Sequence, residues 1–253
     1  MEHQEYVRIV PGAKIAVLFM HGIVGTPNHF KDLLPLVDQV PQQWSVYNVL
    51  LPGHGGKVED FGKSSMKRWK DHVWCIFHQL ADTHERIFLV GHSMGTLFSI
   101  QMALAHPEKV SQLFLIAVPF RVRMRGFGIL NLLRLTFGIL DHADPVQAAT
   151  RTVCGTEPTW MVWKYIPWLP RMWELLREMH TTAKLIDHLE TSCVAYQSER
   201  DELVSNRSRR ILENSGRVEV HNLLKSTHFY YSPEDIAVVQ KRFHEIIKTA
   251  GSS

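Results

Sequence analysis

Ile87-Phe88-Leu89-Val90-Gly91-His92-Ser93-Met94-Gly95 is a β-rich apolar run that ends in G-x-S-x-G and passes directly into a helical pattern over residues 94–106. Glycines two before and two after the serine permit a tight strand-to-helix turn, because a residue without Cβ tolerates close backbone approach and unusual dihedrals. Such a turn lifts a serine hydroxyl above the end of a sheet, with a helix N-terminus beneath it. The motif is informative because of this context, and Ser93 is the candidate nucleophile.

Working outward, further short apolar runs lie at 15–20 (IAVLFM), 45–50, 110–118, 192–197 and 218–222. Several are apolar at consecutive positions, as strands buried on both faces must be. Segments 28–37, 65–81, 203–213 and 234–248 carry apolar residues at i, i+3, i+4 spacing and read as helices. Ser232-Pro233-Glu234-Asp235 reads as a helix start, with a capping hydroxyl, a proline in the first turn and two carboxylates at the positive dipole end. Strands alternating with helices predict an α/β class: a mostly parallel sheet covered by helices on both faces.

A serine hydroxyl is a weak nucleophile near pH 7 and needs a base oriented by a carboxylate. Asp201 follows the strand at 192–197, and His228 follows the strand at 218–222. The order Ser, Asp, His puts a nucleophile, an acid and a base each just beyond the end of a strand. Glu199 and Glu202 flank Asp201 and either could orient the histidine, and His221 is the nearby rival base, though it sits inside a strand pattern. The developing oxyanion needs two backbone N–H donors. Met94, next to the nucleophile, is one candidate, and Ile23 in His21-Gly22-Ile23-Val24-Gly25 is the other.

Together with Pro52-Gly53-His54-Gly55, these motifs resemble the α/β-hydrolases, and more narrowly their small carboxylesterases and monoacylglycerol lipases. The resemblance implies the α/β-hydrolase fold and ester hydrolysis through an acyl-enzyme on Ser93, with His228 relaying the proton and Asp201 holding the imidazole. It implies no metal and no organic cofactor. A thioesterase, an aminopeptidase-like hydrolase and a ligand-binding receptor with little turnover use the same machinery and remain open. His54 and His92 are expected to serve the structure of their loops.

Residues 120–190 interrupt the alternation and are expected to form a helical cap inserted into a core of 1–119 and 191–253. The cap holds four of the seven tryptophans. Trp160, Met161, Trp163 and Trp168 either line an apolar tunnel for an acyl chain or pack the cap on the core. Residues 120–140 carry Arg121, Arg123, Arg125 and Arg134 with no acidic residue, so this stretch is either an ordinary cap helix or one that touches an anionic lipid surface.

Composition closes off other classes. A net charge of +3 with interspersed signs does not call for nucleic acid. Three cysteines in no CxxC spacing form neither a disulfide framework nor a zinc cluster, and Cys75 and Cys193 are expected in the core. No apolar run reaches the roughly 18 residues of a membrane span. Met1 to Val10 lacks a signal-peptide pattern, so a cytoplasmic location is expected.

Overall fold

The computed structural model describes residues 3–39, 43–123, 134, 141 and 143–251. Its strands are β1 (Tyr6–Arg8), β2 (Ile15–Met20), β3 (Ser45–Asn48), β4 (Gly56–Lys57), β5 (Arg86–His92), β6 (Val110–Ile116), β7 (Thr156–Glu157), β8 (Cys193–Ser198) and β9 (Glu219–Leu223). Seven of them make one sheet in the order β1-β3-β2-β5-β6-β8-β9, and β4 pairs with β7 separately. Only β1 is antiparallel to its neighbour; the other six strands of the sheet run parallel.

The helices are α1 (Leu34–Val37), α2 (Val58–Gly62), α3 (Met66–Thr83), α4 (Met94–Ala105), α5 (Pro145–Val153), α6 (Trp168–Ala183), α7 (Asn206–Ser215) and α8 (Pro233–Gly251). Alternate strand residues feed two cores. Ala16, Leu18, Ile87, Leu89, Leu113 and Ala195 meet α3, α4, α6 and α7 on one face. Val17, Phe19, Phe88, Val90, Phe114 and Val194 meet α1 and α8 on the other. The continuous apolar strands are thus buried twice over, as a parallel sheet between helical layers requires.

Local chemistry explains the element ends. Ser232 caps α8, its Oγ accepting from Asp235 N–H at 3.2 Å. Gly216, at φ +63°, ends α7 in the left-handed region. The helix expected over 28–37 divides into a 3-10 turn, Pro27–Phe30, and α1. Pro35 has no N–H and fits only the first turn of a helix, so one helix cannot run through it.

The segment between β6 and β8 is stitched to loops at the carboxyl edge of the sheet. Thr26 Oγ1 donates to Val153 O (3.1 Å), Asn28 Nδ2 to Thr152 O (3.1 Å), Gly155 N to Val24 O (2.9 Å) and Gly55 N to Gly155 O (2.5 Å). Its helix α6 packs on α3 and α4, where Glu178 bridges Lys70 (2.7 Å) and Gln101 (2.6 Å). Trp168 faces inward, donating Nε1–H to Val58 O at 2.9 Å. Trp160 and Trp163 do not: they are 68% and 55% exposed. Of the basic stretch expected over 120–140, residues 124–133 and 135–140 lie outside the described residues. Cys193 is buried as expected, but Cys75 is exposed on the outer face of α3. Among the described residues no helix is long and apolar enough to cross a membrane.

Candidate active site

Ser93 stands at the junction of β5 and α4 with φ +50° and ψ −120°, a conformation that non-glycine residues rarely adopt. Strain of this kind costs of order 1–3 kcal/mol and persists only where the surroundings enforce it. Here Ser93 N–H is tied to Ile116 O at 2.9 Å, and Thr96 holds Ser93 O through both its N–H (2.9 Å) and its hydroxyl (2.6 Å). Gly95 lets the turn close, since a Cβ there would stand 1.9 Å from Met20 O.

Strands β5, β8 and β9 are parallel, so the loops that follow them emerge at one edge of the sheet. The loop after β8 carries Asp201 and the loop after β9 carries His228. His228 Nδ1 meets Asp201 Oδ2 at 2.8 Å with both side chains almost wholly buried. The other carboxylate oxygen of Asp201 accepts N–H bonds from Leu203 (2.8 Å) and Val204 (2.7 Å). Burial pulls the His228 imidazole down, but the charge of Asp201 and its hydrogen bond outweigh that and hold it above its ordinary 6.5.

The rival groups are placed elsewhere. Glu202 takes the backbone N–H of His228 at 3.0 Å, and burial raises its carboxyl above the usual range. Glu199 pairs with Asn222 (2.6 Å) and Arg209 (3.6 Å). His221 stacks on Tyr196 and bonds Glu219 at 2.7 Å. His92 lies beside the pair, its Nε2 on His228 O at 3.1 Å and its ring centroid 5.0 Å from that of His228.

The loop after β2 presses against the serine: a Cβ on Gly22 would come within 2.7 Å of Ser93 Cβ. In this loop the N–H of Gly25 donates to Gly22 O (3.1 Å), closing a turn over Ile23 and Val24, and the N–H of Val24 donates to His54 Nε2 (3.1 Å). Met94 opens α4, where a helix has no internal acceptor for its first N–H groups.

Two histidines join this loop to the one after β3 reciprocally. His21 donates Nδ1–H to Gly22 O (2.8 Å) and accepts Leu51 N–H at Nε2 (3.1 Å), while His54 reaches back to Val24, which sits at φ +59°. Their rings meet edge-on at 5.0 Å. His54→Leu leaves the Val24 N–H without its acceptor, and the expected loss is about 1–3 kcal/mol of stability. Urea unfolding measures it, and a midpoint equal to wild type would show that the clasp contributes nothing.

A model of the alpha/beta hydrolase family matches residues 17–240. The chain belongs to the alpha/beta hydrolase family. Over 97 residues this chain is 31% identical to a thermostable monoacylglycerol lipase of Bacillus sp. strain H-257, covering 37% of each chain. Over 119 residues it is 31% identical to a pimeloyl-[acyl-carrier protein] methyl ester esterase of Neisseria meningitidis, covering 46% of this chain and 34% of that one. The matches therefore span well under half the length of these relatives. A solved structure from work on the metagenome-derived lipolytic enzymes LipS and LipT superposes with a TM-score of 0.75 at 19% identity, covering 98% of both chains. At that identity the likeness is one of fold.

The structure thus brings Ser93, Asp201, His228, Ile23 and Met94 to one edge of the sheet, and leaves Trp160 and Trp163 at the surface. Met161 is half-buried, holding its chain turn through Lys164 N–H to its carbonyl at 3.0 Å. No sequence pattern marks the histidine clasp, although both His21 and His54 sit next to glycines. Among the described residues no group of three or more His, Cys, Asp or Glu is placed to hold a metal ion.

Proposed function

We propose that this protein is a serine carboxylesterase acting on monoacylglycerols or similar esters with an apolar acyl chain. The observation that carries the reading is the buried His228–Asp201 pair, with His228 packed against the residue preceding a strained Ser93. Asp201 keeps the proton on Nδ1, which leaves Nε2 free to accept one. Ser93 Oγ attacks the ester carbonyl carbon as its proton passes to His228 Nε2, and the oxyanion takes N–H bonds from Ile23 and Met94. Collapse expels the alcohol with the proton from His228, and water then releases the acid by the same steps in reverse. Residues 120–190 serve as a cap on the core of 1–119 and 191–253. The named activities of the two relatives, both on carboxylic esters, support the choice of bond.

The test joins turnover to labelling. Initial rates on p-nitrophenyl esters from acetate to palmitate should show many turnovers, with the preferred chain length reporting the depth of the acyl site. A fluorophosphonate should inactivate the protein one-to-one, with the added mass on the peptide that contains Ser93. Inactivity on every ester together with no label at Ser93 would overturn the proposal. Label without ester turnover would move the reading to thioesters and amides.

A further inference from the structure

Beyond β6 the chain runs extended from Arg121 to Arg123 and pairs with the stretch that follows Asp201: Arg123 N–H donates to Leu203 O and Ser205 N–H to Arg121 O, both at 2.8 Å. Ser208 of α7 locks the first of these residues, its Oγ taking Arg121 N–H at 2.8 Å. Between this strip and the start of α7 lies a hollow of about 440 Å³ lined by Arg121, Arg123, Arg207 and Arg210, together with Val204 and Ser205. We propose that this hollow binds a phosphoryl-bearing small molecule.

Charge is the main argument. Four arginines and no acidic residue line one concavity, and all four are exposed; the Arg121 guanidinium also donates Nη1–H to Phe120 O at 3.0 Å. Their neighbour Arg209 on the same helix shows the contrast, because it is paired with Glu199 (3.6 Å) and Glu213 (3.4 Å). No ion pair joins any of the four to an acid among the described residues, and residues 121–140 contain no Asp or Glu at all. Like charges gathered in a concave site reinforce one another's field, which draws in an anion.

Size and shape select the class of anion. The guanidinium fork matches phosphate and carboxylate oxygens two at a time. A phosphoryl group brings close to two charges and three acceptor oxygens near pH 7. It answers four guanidiniums better than a lone carboxylate. A volume of about 440 Å³ leaves room for an organic portion as well, in keeping with small-molecule sites of about 300–1,000 Å³. Arg121 and Arg123 stand on backbone held by hydrogen bonds to Leu203, Ser205 and Ser208, and Arg207 and Arg210 stand on α7, so both sides of the hollow rest on ordered backbone. The site stands whether or not Ser93 turns esters over.

Calorimetric titration at constant ionic strength tests it, with glycerol 3-phosphate, inorganic phosphate and glycerol as the probes. Wild type should bind glycerol 3-phosphate saturably at one site and glycerol not at all. The double variant Arg207→Ala/Arg210→Ala should bind about tenfold more weakly or worse, roughly 1.4 kcal/mol, with ester hydrolysis and melting temperature kept. Arg209→Ala, at the paired arginine, should bind as wild type does. Glycerol 3-phosphate bound more tightly than inorganic phosphate assigns an organic phosphate, and the reverse order assigns the free ion. No saturable binding of either phosphate, or equal affinity in wild type and the double variant, overturns the proposal.

Discussion

Ser93→Ala should lower kcat/KM on a p-nitrophenyl ester by about a million-fold, and Asp201→Asn should lower kcat by about ten-thousand-fold. Neither change should move the urea midpoint by much. Alanine occupies the Ser93 position with the same backbone and loses only the hydroxyl. Asparagine at 201 keeps one oxygen for the N–H groups of Leu203 and Val204, now held at 2.8 and 2.7 Å. Its amide NH₂ then faces His228 Nδ1 and can only donate, so the imidazole must carry its proton on Nε2. That is the atom which has to accept the serine proton. Because the three groups act as a unit, the double variant should be no worse than Ser93→Ala alone. Retention of more than about a hundredth of wild-type activity by Ser93→Ala would remove it from the role of nucleophile, since loss of an essential triad member costs far more than that.

The alternation of strands and helices was readable because a parallel sheet buries both faces of its strands. The run IAVLFM has the same limits in sequence and structure, 15–20, and all six side chains are buried. β5 reaches to His92, beyond the apolar run, because Gly91 and His92 still pair with Leu115 and Ile116. β1 carries no such signal: its three residues are mostly exposed, and it exists through its pairing with β3. Cys75 shows helical phase deciding burial where residue type does not. Trp69, Val73, Ile76, Phe77 and Leu80 mark the buried stripe of α3, and position 75 falls on its far side.

In the site, motif spacing picked out residues that parallel topology brings to one edge, and for the same reason Asp201 could be told from Glu199 and Glu202 only by where each side chain points. Aromatic density behaved differently. Trp160 and Trp163 share a segment with Trp168, yet only Trp168 faces α2, with its ring 4.4 Å from Phe61. Composition records how much apolar surface a segment has and not which way it faces. The reciprocal bonds of His21 and His54 link loops about thirty residues apart, which no local pattern encodes.

Those histidines set the second large effect: stability should collapse as the pH falls from 7.5 to 5.5. Burial holds His21 and His92 well below 6.5, His54 at about 4 and His29 at about 3. Each is neutral in the fold for a visible reason. The Nε2 atoms of His21 and His54 already accept a backbone N–H, while His29 Nε2 and His92 Nδ1 are buried without a partner. Unfolded, all four take up a proton near 6.5. The unfolded chain therefore binds more protons below that pH, and unfolding becomes easier as acid is added. One pH unit below 6.5 the linkage amounts to roughly 1.4 kcal/mol per imidazole, about 5.6 kcal/mol for the four. His228 opposes this, because its raised value means that the fold binds its proton more readily and gains stability in acid; Glu202, also raised, acts in the same sense at lower pH. Four depressed groups outweigh these, and the loss continues toward pH 4 for His54 and pH 3 for His29. Urea unfolding at half-unit pH steps reads the slope directly. A midpoint that stays level from pH 7.5 to 5.5 would mean that these imidazoles are hydrated or paired in solution, and His54→Gln, which cannot titrate, should flatten the slope by one proton's worth.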